Sequence, residues 1–469
     1  MDNGGSPWPL PLYRIGSNPY GQPESAVPPT AMSRKYLFAA LSILAVMFLV
    51  PFLSAQEPDT PFTLDAALAY ARQHSPKLSA KSQSVTTGQA AIAVAKAERL
   101  PRLTLGAAAR ESSQPTQTAM GFPLTQLADI PENQPFRRGH LNAGVLAAIP
   151  LYTGGRISSG VSLAQAQRDA AQANMRDVER DLDFDVTSTY ANLVQLDRDI
   201  EAARESVNAL TESRRVVAQM LDEGKVARVD LLKVDTRLAD VQDTAIEFRN
   251  AREIEAGQFN ALLGRPIDTP IVVETSLPQP SLQMSLDQVS QLARTGNSKY
   301  HVAEAQVSVA EGSLAVARSA QRPSLSLAAD LLGQSVDPFS MYKGGVSAGV
   351  VFSFPFFDRT LTHRVEEARS QELERRADLK QAELDATQRA RSAYLQVRNS
   401  VERIRATETA IGYAREALRI EQEKQRYGRG TIENLLDAQA ALLTSEAKYY
   451  RALADYTAAT AAVRRETGM

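Results

Sequence analysis

Between Leu141 and Ile149 the chain alternates. Leu141, Ala143, Val145, Ala147 and Ile149 fall on one side of an extended backbone. Val346, Ala348, Val350, Phe352 and Phe354 do the same, with Ser347, Gly349, Val351 and Ser353 on the opposite side. The runs "RLTLGAAARE" and "SLSLAADLLGQ" precede them, so the pattern predicts four strands, about 102–111, 140–150, 324–334 and 344–355. Elsewhere the period is helical. Thr63 to Leu100 carries Leu64, Leu68, Leu78 and Ile92 among alanines, and long helices are predicted over about 157–221 and 360–426. Seven-residue spacings continue beyond them, in Leu435, Leu442 and Tyr449, in Leu436, Leu443 and Tyr450, and in Leu231 and Leu238 beside Val234, Val241 and Phe248. Pro101, Pro150, Pro323 and Pro355 stand where the period changes. They are read as strand-to-helix junctions, because proline has no N–H to continue a ladder.

The pattern is written twice. "TLDAALAYARQHSPKL" answers "SLDQVSQLARTGNSKY" at an offset of 222 positions, and "RLPRLTLGAA" answers "QRPSLSLAAD" at the same offset. After Pro150 and Pro355 the offset becomes 204 or 205, pairing Tyr190 with Tyr394 and Gly224 with Gly428. One loop of the first copy is therefore about 17 residues longer than its counterpart. The predicted division is a first repeat over 56–263, a Pro-rich linker over 264–284 ("GRPIDTPIVVETSLPQPSLQM") and a second repeat over 285–469.

Length gives these elements a setting. Strands of about 9 to 11 residues cross a bilayer in a tilted barrel. A helix of about 65 residues reaches roughly 100 Å, too long for the core of a globule, and must lie along neighbours as in a coiled coil. Two adjacent apolar stripes suit a helix flanked on both sides, hence a ring of helices. Four strands cannot close a membrane barrel, and an open sheet edge in lipid is prohibitive. Closed barrels start at about eight strands. Several chains must pool theirs, and three would give twelve.

Composition narrows the class further. The 52 basic and 54 acidic residues nearly cancel, giving no excess that points to nucleic acid. There is no cysteine, hence no disulfide and no thiolate chemistry. The run "YLFAALSILAVMFLVPFL" follows "SRK" and ends in "LSAQ", which reads as a signal peptide over 32–55 cut after Ala55; an N-terminal membrane anchor is the alternative. Residues 1–31 are read as an extension without function ahead of a start at Met32. No Cys follows the run to accept a lipid.

"FTLDAALAYARQHSPKL", the paired "GKVARVDLLKVDTRLADVQ" and "GRGTIENLLDAQAALLTSEAKYYRALADYTAA", and "LLGRP" at the end of the first repeat resemble the TolC-like outer-membrane efflux proteins, over essentially all of Thr63 to Gly468. The resemblance implies a mainly α fold with a membrane β-barrel. Duplicated helix–strand–strand–helix repeats would form a homotrimer with a twelve-stranded barrel in the outer membrane and a twelve-helix α-barrel in the periplasm. It implies the exit duct of a tripartite efflux or type I secretion system, joined through a periplasmic adaptor to an inner-membrane pump of RND, ABC or MFS type, with no cofactor. The family's tip glycines fall on Gly224 and Gly428, and its aperture positions on Asp230, Asn434 and Asp437. Three copies of an aspartate around a narrow bore would favour cations. Two positions depart from the family: one aspartate is Asn434 here, and the gate arginine falls on Gly430, with Arg429 beside it.

Other readings of the same residues stay open. Asp230 and Asn434 near helix starts also suit capping. Tyr152, Phe354, Phe356 and Phe357 at strand ends suit either an interfacial aromatic girdle or core packing. His74, His140, His301 and His363 have no metal spacing among them, and neither a P-loop, a nucleophile elbow nor a zincin motif occurs. From another class, a periplasmic coiled-coil adaptor or scaffold would also carry long helices; it would have one helical hairpin rather than two copies with bilayer-length strand pairs.

Overall fold

The computed structural model describes residues 61–116, 137–281, 284–337, 340–427 and 429–469. The extension 1–31, the signal peptide 32–55 and Gly428 lie outside the described residues. The element order is α1 (Leu64–His74), α2 (Pro76–Ala97), β1 (Arg102–Thr116), β2 (Arg137–Tyr152), α3 (Arg156–Asp222) and α4 (Arg228–Leu263), followed by α5 (Leu286–Gly296), α6 (Ser298–Ser319), β3 (Ser324–Asp337), β4 (Ser340–Ser353), α7 (Arg359–Arg426) and α8 (Ile432–Thr467).

The four strands form one antiparallel sheet in chain order. Its register sorts the side chains. Leu105, Val145, Leu331 and Val346 stand in one row across the sheet, and Leu103, Ala147, Ala329 and Ala348 in another on the same face. Leu327 opposite Val350 and Leu325 opposite Phe352 extend that face. The intervening row is Thr104, Leu146, Asp330 and Ser347, on the other face, where the Ser347 hydroxyl donates to Asp330. The apolar rows are exposed: Leu105 and Val346 each retain 79% of their accessible surface, and Phe352 retains 67%. A continuous exposed apolar face of this extent marks contact with a membrane or another protein.

The strands outrun the lengths expected from alternation, at 14 to 16 residues each. Pro150 is inside β2, not at its end. The strand continues to Tyr152 past a register shift between Pro150 and Tyr152, where a missing N–H is tolerated, and turns through Gly154 and Gly155 into α3. Pro355 follows the end of β4, and Pro101 and Pro323 immediately precede β1 and β3.

The helix expected over Thr63–Leu100 is two. It breaks at Ser75, because Pro76 supplies no N–H and takes the first position of α2, where none is needed. The second copy breaks at Asn297, whose side chain accepts from the Tyr300 N–H at 3.1 Å. These breaks seat α1 and α5 against the far ends of α4 and α8. Ala67 and Ala71 of α1 pack with Leu182, Val186 and Tyr190 of α3 and with Phe259 and Leu263 of α4. Val289 and Ala293 of α5 pack with Val397 and Ile404 of α7 and with Tyr456 and Val463 of α8. Full burial of a side chain such as Phe259 or Leu263 contributes about 2 kcal/mol.

The linker is tied down. Its backbone brackets Phe62 (Phe62 N–H to Val272 O, 2.8 Å; Glu274 N–H to Phe62 O, 3.0 Å), and Asn260 donates to the carbonyls of Ile267 and Thr269.

Gly264 and Gly468 end α4 and α8 in the left-handed region, at φ +74° and +80°. A Cβ on Gly264 would lie 2.5 Å from the His74 carbonyl oxygen, and one on Gly468 closer still to that of Gly296. Gly264→Ala and Gly468→Ala are each expected to cost about 1–3 kcal/mol through backbone strain and collision, seen as a lowered midpoint in thermal unfolding.

Candidate functional site

Two helical hairpins, α3–α4 and α7–α8, turn at the end of the molecule away from the sheet. α3 stops by placing Gly224 at φ +72°, so that Gly224 N–H reaches Leu221 O and Lys225 N–H reaches Met220 O, at 2.9 and 2.8 Å. These bonds satisfy carbonyls that the helix leaves open. At the second turn Arg429 N–H bonds Lys424 O at 2.8 Å and Gly430 N–H bonds the same oxygen at 3.1 Å; the Arg429 side chain is exposed.

The returning helices start with different caps. The Ala227 N–H donates to Asp230 Oδ2 at 3.2 Å, so the Asp230 carboxylate closes the first turn of its own helix. At α8 the capping group is Thr431, whose hydroxyl oxygen accepts from the Asn434 N–H at 3.2 Å. Asn434 thus occupies the position of Asp230 but receives the cap. Asp437 lies one turn further on, in the groove between α4 and α8 with Val229, Leu232, Lys233 and Glu433.

Sequence reasoning missed the contacts that join the two hairpins. Lys233 of α4 reaches Glu433 of α8 at 2.9 Å, and this pairing raises the lysine pKa and lowers the carboxyl pKa, chiefly through the hydrogen bond itself. Gln439 of α8 reaches Ser213 of α3 at 3.5 Å, while within the first hairpin Arg214 staples α3 to Asp235 of α4 at 2.5 Å. Beneath them Leu210, Val217, Val234, Val241, Ile432 and Leu436 form one core from both hairpins. Only that apolar core had a sequence signal, in the heptad spacing. The two polar pairs between the hairpins join positions 200 and 226 residues apart.

Geometrically this is a pair of coiled-coil hairpins clasped at their tips, carried on a sheet with an apolar outer face. Among the described residues no helix is long and apolar enough to cross a membrane, and no group of three or more His, Asp or Glu side chains gathers as a metal site would require.

Comparison with known proteins gives this arrangement a place. The family model "Outer membrane efflux protein" matches residues 67–265 and 289–469. The chain is 24% identical over 418 residues to "Outer membrane efflux protein BepC" of Brucella suis biovar 1, covering 87% of this chain and 85% of that one. It is 22% identical over 304 residues to "Nodulation protein T" of Rhizobium leguminosarum bv. trifolii, covering 62% of this chain and 64% of that one, so it spans less than two thirds of that relative. In fold it matches the crystal structure of the Campylobacter jejuni CmeC outer membrane channel with a TM-score of 0.76 at 16% identity, over 86% of this chain and 85% of that one. The mainly helical architecture is thus that of the TolC-like channels. With both of these segments matched, the chain belongs to the outer membrane efflux protein family, and its place is the outer membrane.

Proposed function

We propose that this protein is the passive outer-membrane exit duct of a tripartite efflux or type I secretion system. The observation that carries the reading is the four-stranded sheet. It has an apolar row on one face, polar positions on the other, and two edge strands, β1 and β4, that among the described residues each pair on one side only. In a bilayer those edges have to pair with other copies, since an unpaired edge costs several kcal/mol per group. Three copies give a twelve-stranded barrel, with Asp330 and Ser347 turned to a wet lumen and Val346 and Val350 to lipid. The twelve long helices continue it as an α-barrel through the periplasm. Tyr152, Phe354, Phe356 and Phe357, all exposed at strand ends, would sit at the membrane interface.

Closure at the periplasmic end would belong to the tip, where the Gly224 turn, Arg429, Asp230, Asn434 and Asp437 lie. A periplasmic adaptor and an inner-membrane pump of RND, ABC or MFS type would supply opening and energy, and no cofactor is required of this chain. The Asp230 cap and a place on the bore are compatible, because one carboxylate oxygen suffices for the cap.

Purified protein in planar bilayers tests this. Channel activity is expected, and Asp437→Ala is expected to reduce cation selectivity and block by trivalent cations. Absence of conductance would refute the duct. Unchanged selectivity and block would remove Asp437 from the bore.

A further inference from the structure

The two hairpins meet along α3 and α8, and one carboxylate lies in that seam. Asp199 of α3 is 2% exposed. Gln195 Nε2 donates to its Oδ2 at 3.1 Å, while its Oδ1 is buried with no hydrogen-bond partner among the described residues. It forms the floor of a groove between α4 and α8. The charged groups lining that groove are Arg237 and Asp240 from α4 and Lys448 and Arg451 from α8, of which Arg451 acts on Asp199; on α3 its neighbour is the neutral Gln195. Arg451 favours the charged form without closing an ion pair. At the corresponding place in the second copy, Arg403 of α7 is paired with Asp455 of α8 at 2.5 Å. That pair lies within one hairpin, as Asp197–Arg252 does in the first at 2.5 Å, whereas Asp199 sits between the two hairpins.

A carboxylate that lacks a partner is costly inside protein; a neutral carboxyl costs far less. We propose that Asp199 is a proton-operated latch on the seam between the hairpins: neutral, it suits the closed seam, and ionised, it favours a seam parted enough for water or Arg451 to reach it. This rests on the duct reading and deepens it, by assigning the opening of the tip to a parting of the α3–α8 seam. Burial is the main cause that raises the Asp199 pKa to about 6 in the closed form. In a parted seam the group would return toward the ordinary carboxylate range. The sign follows: the closed form takes up the proton more readily, so it gains on the parted form as pH falls through 6 and loses that advantage as pH rises.

The absence of cysteine makes the test direct. Spin labels are placed on cysteines introduced at Glu205 of α3 and Ala441 of α8, and their separation is measured in the full-length detergent-solubilised protein from pH 5 to pH 7. The ratio of the longer to the shorter distance population is expected to rise about tenfold over that interval. Asp199→Asn should hold the short distance at every pH, and Asp199→Glu should restore the response. A wild-type protein without the shift, or an Asp199→Asn variant that retains it, overturns the latch. Bilayer conductance of the same preparations separates the two ideas: conducting protein with a pH-insensitive seam refutes the latch and leaves the duct standing.

Discussion

Val350→Arg should all but eliminate assembled protein from the outer membrane. Val350 is 61% exposed in the isolated chain and stands directly opposite Leu327, on the face shared by Leu105, Val145 and Val346. If that face meets lipid, a guanidinium near the bilayer midplane costs about 2–4 kcal/mol. The penalty is incurred in every copy, and assembly multiplies it. The next residue supplies the control. Val351 pairs with Ser326 on the opposite face, so Val351→Arg places the same charge in the lumen and should leave assembly close to normal. Heat-modifiable oligomer on gels of outer-membrane fractions reads both outcomes. Equal loss in the two variants would mean that the faces are not distinguished by lipid.

That face was legible in sequence because a period of two is local: each strand declares its own sides. The strand ends were not, since β1 runs on into "ESSQPT" and β2 begins in "RRGH", where alternation of polarity has already ceased. The break at Ser75 left a mark that periodicity alone overrides, a Ser-Pro pair inside an otherwise helical run; the same lesson applies to Asn297. The turn at Gly224 was readable because a left-handed backbone suits only a few residue types. The Lys233–Glu433 clasp and the buried position of Asp199 were not. Both depend on how one hairpin lies against the other, and no spacing within a helix encodes that.

The second large effect should come from Glu466, near the end of α8. Its carboxylate is 2% exposed and accepts from Asn297 Nδ2 at 2.9 Å, Arg389 Nε at 3.2 Å and Arg465 Nη2 at 2.9 Å. Asn297 also donates to the Glu466 backbone carbonyl at 3.1 Å while capping α6. One carboxylate therefore ties the break between α5 and α6 to α7 and α8, 169 residues along the chain. Glu466→Ala leaves the Arg389 guanidinium without its anion, leaves Arg465 with only the more distant Asp181 at 3.7 Å, and leaves the Asn297 amide with only the backbone carbonyl of residue 466. Loss of one partner from a buried ionic cluster costs about 3–5 kcal/mol; the partial exposure of Arg389 and Arg465 puts the expectation at about 3. Glu466→Gln should recover part of this, because the amide oxygen still accepts from Asn297. Chemical denaturation of the detergent-solubilised protein measures the difference. A stability change below about 1 kcal/mol for Glu466→Ala, in the range of exposed pairs, would show that the cluster is hydrated rather than structural.

The central claim is that four strands per chain become a wall only when copies share them. The molar mass of the protein extracted from outer membranes in mild detergent, by light scattering with the detergent contribution subtracted, tests it most directly. Three chains per particle is the expected result. A homogeneous single-chain particle that still conducts in bilayers would contradict it, because a closed pore would then have been built from one open sheet.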